Sequence, residues 1–122
     1  MSAFLASYHT AASFSPDRFN AVPVGATSRV RVFLVCLEPG QFIPVHRPAV
    51  DIAIIVLEGD GRVLAGDREE EVRPGAVVVV PAGEARGLLA TARLVALTVV
   101  TPPPTDQDHA EVAVGLRRGR WR

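Results

Sequence analysis

From residue 29 to residue 101 the chain is a succession of short apolar runs, each cut off by glycine or proline. "RVRVFLVCLE", "FIPVH", "IAIIVLE", "RVLAG", "AVVVV", "GLLA" and "RLVALTVV" are separated by "EPGQ", "GDGR", "GDR", "RPG" and "PAGEA". Val and Ile at this density favour extended backbone, because branching at Cβ restricts the side chain in a helix. At least seven short strands with turn signals between them point to an antiparallel sandwich or barrel.

The strands are unusual in being apolar on both faces. "RVRVFLVCLE" begins with Val30 and Val32 alternating against Arg29 and Arg31, then becomes apolar throughout. In "IAIIVLE", Ile52, Ile54 and Val56 form one face and Ala53, Ile55 and Leu57 the other, while "AVVVV" reads as a second strand buried on both sides. One such face calls for a second sheet. The other calls for a further cover, and a second copy of the chain is the expected one, so a homodimer is predicted. "FIPVH" carries Pro44, which confines it to an edge or a bulge. "GDGR" reads as a tight hairpin turn into "RVLAG", and "GDREEEVRPG" as a turn, a short polar strand and a second turn.

The series has less regular ends. Residues 1–28 are rich in Ala, Ser and Thr and are broken by Pro16 and Pro23, which reads as an arm with one or two short strands or turns. Residues 29–103 hold the strands, stopped by Pro102, Pro103 and Pro104. Residues 104–122 form a tail. It can hold a short helix, with Asp106 or Asp108 near its start and Val112, Ala113 and Leu116 on one face, or "EVAVGL" can make a last strand. A chain of 122 residues is the size of one domain.

Charge narrows the function classes. The 13 basic residues are all Arg and balance 13 acidic ones, and there is no Lys, so no lysine nucleophile or Schiff base is available. Without net positive charge the body of the protein lacks the electrostatic term behind nucleic-acid binding, and nucleic acid is not an expected partner. "RRGRWR" at the end reads as a solvated basic tail. The absence of a signal-like start and of an apolar run near 20 residues makes a soluble, cytoplasmic protein without membrane association the expectation. Cys36, inside "VFLVCLE", reads as a small buried apolar residue.

Two motifs give the strand series a family likeness. Gly40, His46 and Gly59 in "GQFIPVHRPAVDIAIIVLEG", with Gly75, Pro81 and Gly83 in "GAVVVVPAG", match the glycine and proline framework of both motifs of the small single-domain cupins. On that framework the chain resembles this family over roughly residues 29–103. The resemblance implies an all-β double-stranded β-helix, a cupin or jelly-roll barrel. It also implies a metal held by two His and a Glu of the first motif and a His of the second.

Here those four positions hold His46, Pro48, Ile52 and Arg86. A catalytic Zn or Fe site needs about three protein ligands and an open position. Pro and Ile offer no donor, and Arg places a positive charge where the cation would sit. No metal and no other cofactor is expected, and a metal that did bind would use His46. Asp51 adjoins the lost Glu position but alternation turns it to the other face.

If the barrel geometry of the resemblance holds, His46 and Arg86 meet in its interior. A guanidinium beside an imidazole in an apolar cup suits a small ligand carrying a carboxylate or phosphate, with Pro48, Ile52 and Ile54 as its wall. The plainer alternative is that Arg86 pairs with Glu84 or Asp51 and binds nothing. Two further readings stay open. One is an enzyme, with a rebuilt metal site or with His46 as the base of a metal-free isomerase. That isomerase resembles cupin-type epimerases in needing a Tyr acid, and Tyr8 in the arm is the one Tyr. The other is a structural or regulatory module whose barrel is plugged by Ile52, Ile54, Val78 and Val80. His9 and His109 read as surface residues, and Glu69, Glu70 and Glu71 as solvated edge charge.

Overall fold

A computed structural model describes residues 3–122; the first two residues of the arm lie outside the described residues. In chain order the elements are α1 (Tyr8–Ala11), β1 (Asn20–Ala26), β2 (Arg31–Leu37), β3 (Phe42–His46), β4 (Asp51–Glu58) and β5 (Gly61–Ala65). They continue with β6 (Arg68–Val72), β7 (Val77–Val80), β8 (Arg86–Ala90), β9 (Leu94–Thr101) and α2 (Asp106–Arg118). The strands form two antiparallel sheets, ordered β1-β2-β9-β4-β7 and β3-β8-β5-β6. The antiparallel all-β architecture expected from the strand pattern, and the jelly roll that the resemblance implies, is the fold.

Alternation along each strand divides the apolar residues between two clusters. Val35 and Leu37 of β2, Ile54 and Val56 of β4, Leu88 and Ala90 of β8, and Leu94 and Ala96 of β9 face inward and fill the space between the sheets. Leu34 and Cys36 of β2 and Val95 of β9 face outward. That outer face is covered by the chain's own arm, through Tyr8, Ala11, Ala12 and Phe14. The cover that two-sided strands require is thus partly intramolecular. Cys36 is a free, buried thiol, as its setting in sequence suggests, and burial raises its pKa.

Two expectations are corrected. The hairpin at "GDGR" does not form, because β4 and β5 lie in different sheets. Instead the Asp60 carbonyl accepts from Thr91 and Ala92 at 3.0 and 3.1 Å, so the segment crosses between sheets against the turn before β9. Gly59 permits that passage: its φ is +79°, and a Cβ there would stand 1.8 Å from the Arg93 carbonyl oxygen. Second, β7 is buried on one face only. It is a sheet edge, and Val77 and Val79 keep 66% and 69% of their surface exposed.

The tail takes the helical of its two readings, not the strand, and its exposed, Arg-rich end is docked at Trp121 and Arg122. Thr105 and Asp108 form a reciprocal capping box at the start of α2, and Gly119 ends it in the left-handed conformation. Val112 and Leu116 pack on the inner cluster. Gly115 brings α2 so close to β3 that an added Cβ would lie 2.4 Å from Pro44 Cβ. Beyond the helix the Trp121 carbonyl accepts from Val45 at 2.8 Å, covering part of the open edge of β3, and Arg122 pairs with Glu69. No helix among the described residues is long and apolar enough to cross a membrane.

Candidate functional site

A cavity of about 430 Å³ lies between the two sheets at the end where α2 packs. Its wall draws on Phe33 and Val35 of β2, Ile43 of β3, Ile52 and Ile54 of β4 and Leu88 of β8, all apolar. His46, Pro48 and Arg86 line the same cavity. The structure thus brings together all five residues that sequence reasoning singled out. It also leaves space in the barrel that Ile52 and Ile54 do not fill.

The approach of His46 to Arg86 follows from strand register. The two are partners in the β3–β8 ladder, next to a bulge where the register shifts between Ile43 and His46. That bulge spans Pro44, which gives the ladder no N–H. It lets Ile43 and His46, three positions apart, both face the cavity, which strict alternation would forbid.

Arg86 is 3% exposed, and its hydrogen bonds go to backbone alone. Nη2 donates to the Pro81 carbonyl at 2.9 Å and to the Glu84 carbonyl at 3.3 Å, and Nε to Glu84 at 3.4 Å, while Nη1 has no partner. Pairing with the Glu84 or Asp51 carboxylate, the plainer alternative, does not occur. Asp51 accepts from the Ala82 amide at 2.8 Å instead. Burial lowers the Arg86 pKa, opposed by the charges of Asp51, Asp108 and Glu84. The guanidinium stays protonated all the same.

The His46 imidazole is held by its Nδ1, which donates to the Pro44 carbonyl at 2.9 Å. A carbonyl only accepts, so Nδ1 carries the proton and the lone pair is on Nε2. Burial is the main cause of a lowered His46 pKa. The Pro44 bond opposes it, Arg86 adds to it, and Glu111 and Asp108 on α2 oppose it. A neutral imidazole is the form that this site favours.

Sequence reasoning missed the contribution of α2. Asp108, His109, Val112 and Ala113 line the cavity, with Pro104 before them. His109 is a surface residue, as expected, yet it stands at the cavity's rim. Asp108 is buried, accepts from Thr105 N at 2.9 Å and reaches the Ala49 amide at 3.4 Å, tying the helix to the loop after β3. The Thr105 bonds are the main reason its pKa is lowered. The signal for this element was the spacing T-x-x-D ahead of apolar residues at 112 and 116. Thr98, buried on β9, also lines the cavity, but its hydroxyl donates to the Phe33 carbonyl at 2.9 Å.

Tyr8 lies in the outer cluster against Leu34 and Cys36, not in the cavity wall of its own chain. Among the described residues no group of three or more His, Cys, Asp or Glu side chains is placed to hold a metal ion. The donor set at the four motif positions, one imidazole and one guanidinium, does not fit a metal.

Residues 33–100 match the family model described as Cupin domain. Solved structures share the fold. TT1209 from Thermus thermophilus is 27% identical with a TM-score of 0.77, over 82% of this chain and 98% of that one. An RmlC-like cupin protein from Desulfovibrio desulfuricans is 28% identical with a TM-score of 0.71, over 81% and 98%. KdgF from Halomonas sp., at 19% identity and a TM-score of 0.73 over 88% and 98%, is alike in fold alone. No curated protein matches the chain.

Proposed function

The chain belongs to the cupin domain family, and from that premise we propose that it is a binding protein. Its barrel has lost the family's metal and takes a small ligand with an anionic group. The reading is carried by Arg86, a guanidinium buried in the cavity wall at a metal-ligand position of the motif, with no carboxylate among the described residues bonded to it. A buried cation is stable only with compensation, and a ligand anion supplies what the Pro81 and Glu84 carbonyls supply in part. His46 adds Nε2, and Pro48, Ile52 and Ile54 complete the contact surface. The protein acts as a homodimer, supported by Val77 and Val79, exposed on an edge strand.

Elemental analysis of the purified protein, beside His46→Ala, tests the loss of metal. Fe, Mn, Ni, Cu and Zn well below one per chain are expected. A stoichiometric metal that disappears in the variant overturns the reading.

An acid–base role for His46 stands second, favoured by one observation: with Nδ1 fixed on Pro44, Nε2 is free to take a proton. Its acid partner is not Tyr8 of the same chain. It would have to come from the substrate, a water or a second subunit.

A further inference from the structure

We infer that the ligand is a monocarboxylate with an apolar body, an inference that rests on the anionic-ligand reading above. The cavity wall supports it by what it offers and by what it withholds. Its volume, about 430 Å³, is within the range of small-molecule sites. Most of the wall is hydrocarbon from Phe33, Val35, Ile43, Ile54, Leu88 and Val112.

A sugar or other polyol would need a hydrogen-bond partner for each hydroxyl it buries. The wall's polar groups are nearly all committed. Thr98 donates to the Phe33 carbonyl, Asp108 holds the Thr105 and Ala49 amides, and His46 Nδ1 is bound to Pro44. Apart from the exposed Arg18 and His109, what remains is Nε2 of His46 and Nη1 of Arg86, on neighbouring strands at paired positions. Two groups suit one head group, not a ring of hydroxyls.

The charge of that head is also limited. A phosphate dianion is usually met by several cations or by the free amides of a helix start. Arg86 is the one buried cation of the lining; Arg18 and His109 also line the cavity, from exposed residues. The α2 N-terminus beside the cavity is already taken by the Asp108 carboxylate, whose charge would repel a phosphate. A carboxylate matches a single guanidinium in charge and shape, and an apolar chain or ring matches the rest.

Titration calorimetry with four probes tests this: octanoate, octan-1-ol, glucuronate and inorganic phosphate. Octanoate is expected to bind at least tenfold more tightly than each of the others. Arg86→Met should remove that advantage over octan-1-ol. Arg86→Met also removes bonds to the Pro81 and Glu84 carbonyls, so Ala113→Leu, at a lining position that makes none, provides a second variant. It should weaken octanoate at least fivefold. Glucuronate or phosphate binding as well as octanoate overturns the inference and leaves the anionic-ligand reading standing. Octan-1-ol binding as well as octanoate, or no binding by any probe, overturns both.

Discussion

His46 and Arg86 face each other across the β3–β8 ladder, and both side chains line the cavity between the sheets. In the family's motif arrangement the same two positions supply metal ligands. Here they put one fixed positive charge beside one imidazole. The pairing decides the chemistry open to the barrel, since a cation is repelled where an anion is attracted.

Arg86 should be dispensable for stability. Its partners, the Pro81 and Glu84 carbonyls, belong to exposed residues that water can reach, whereas its charge is buried. Replacing a buried ion pair by apolar residues of similar volume is often neutral or stabilising by about 1–4 kcal/mol, and Arg86 has no bonded carboxylate whose charge its replacement would strand. Arg86→Met is expected to melt no lower than the parent by calorimetry. A loss of more than about 2 kcal/mol would instead mark Arg86 as a structural brace.

His46 should make the protein acid-sensitive above the carboxylate range. Its folded-state pKa is lowered, mainly by burial, so the unfolded chain takes up the proton first as pH falls. Stability from the neutral imidazole is full above about pH 6.5 and declines below it, down to the folded pKa. Asp108 has the same sign in a lower window: its lowered pKa gives stability that is full above about pH 3.9 and lost beneath it. Urea unfolding at pH 7.5, 6.0 and 5.0 should show a fall that His46→Gln flattens and Asp108→Asn does not. Equal slopes in the parent and His46→Gln would count against a buried, neutral imidazole.

Gly115 should control the docking of α2. Alanine is the better helix residue by about 1 kcal/mol. Here, however, its methyl would meet the Pro44 ring, 2.4 Å away, and overpacking costs roughly 1–3 kcal/mol. Gly115→Ala should therefore loosen the helix and its following segment. The single Trp, Trp121, packs beside Gly87 and reports the change. A red-shifted Trp emission with more rapid quenching by acrylamide is expected; unchanged emission would mean that β3 adjusts to the methyl.

The edge strand β7 should carry the dimer contact. Val77 and Val79 project from one face of it and are the most exposed large apolar residues outside the N-terminal segment. The parent is expected to sediment as a dimer at micromolar concentration, and Val77→Glu with Val79→Glu as a monomer. A parent that is monomeric throughout sinks the proposal.

The turn glycines give a check on the fold itself. Gly59→Ala meets both a positive φ and a carbonyl oxygen 1.8 Å from the new Cβ. A strained residue alone costs about 1–3 kcal/mol, and the clash adds to it. Gly40→Ala, with φ +87° and nothing within 4 Å, isolates the backbone term. The expected order in chemical denaturation is parent, then Gly40→Ala, then Gly59→Ala as the least stable.

Most of the barrel was legible in the chain because it is written locally. β-branched runs specify strands, and period-two alternation assigns Ile52, Ile54 and Val56 to the face that the inner cluster occupies. The glycine and proline framework placed His46 and Arg86 on one site, and the structure has them there. The connection after β4 was misread because "GDGR" has hairpin chemistry. Its backbone partners, at residues 91 and 92, are distant in sequence and leave no mark near the turn.

Residue type and short-range spacing were enough to specify the strands, and the resemblance carried by the glycine and proline framework pointed to the four motif positions, His46 and Arg86 among them. Long-range packing settled the rest: that the arm covers Leu34 and Cys36, that a bulge at Pro44 turns both Ile43 and His46 inward, and that Asp108 draws a C-terminal helix over the barrel. Packing, too, left the Arg86 guanidinium without a carboxylate. Each of these depends on which distant groups find each other when the core closes, and no local pattern encodes that.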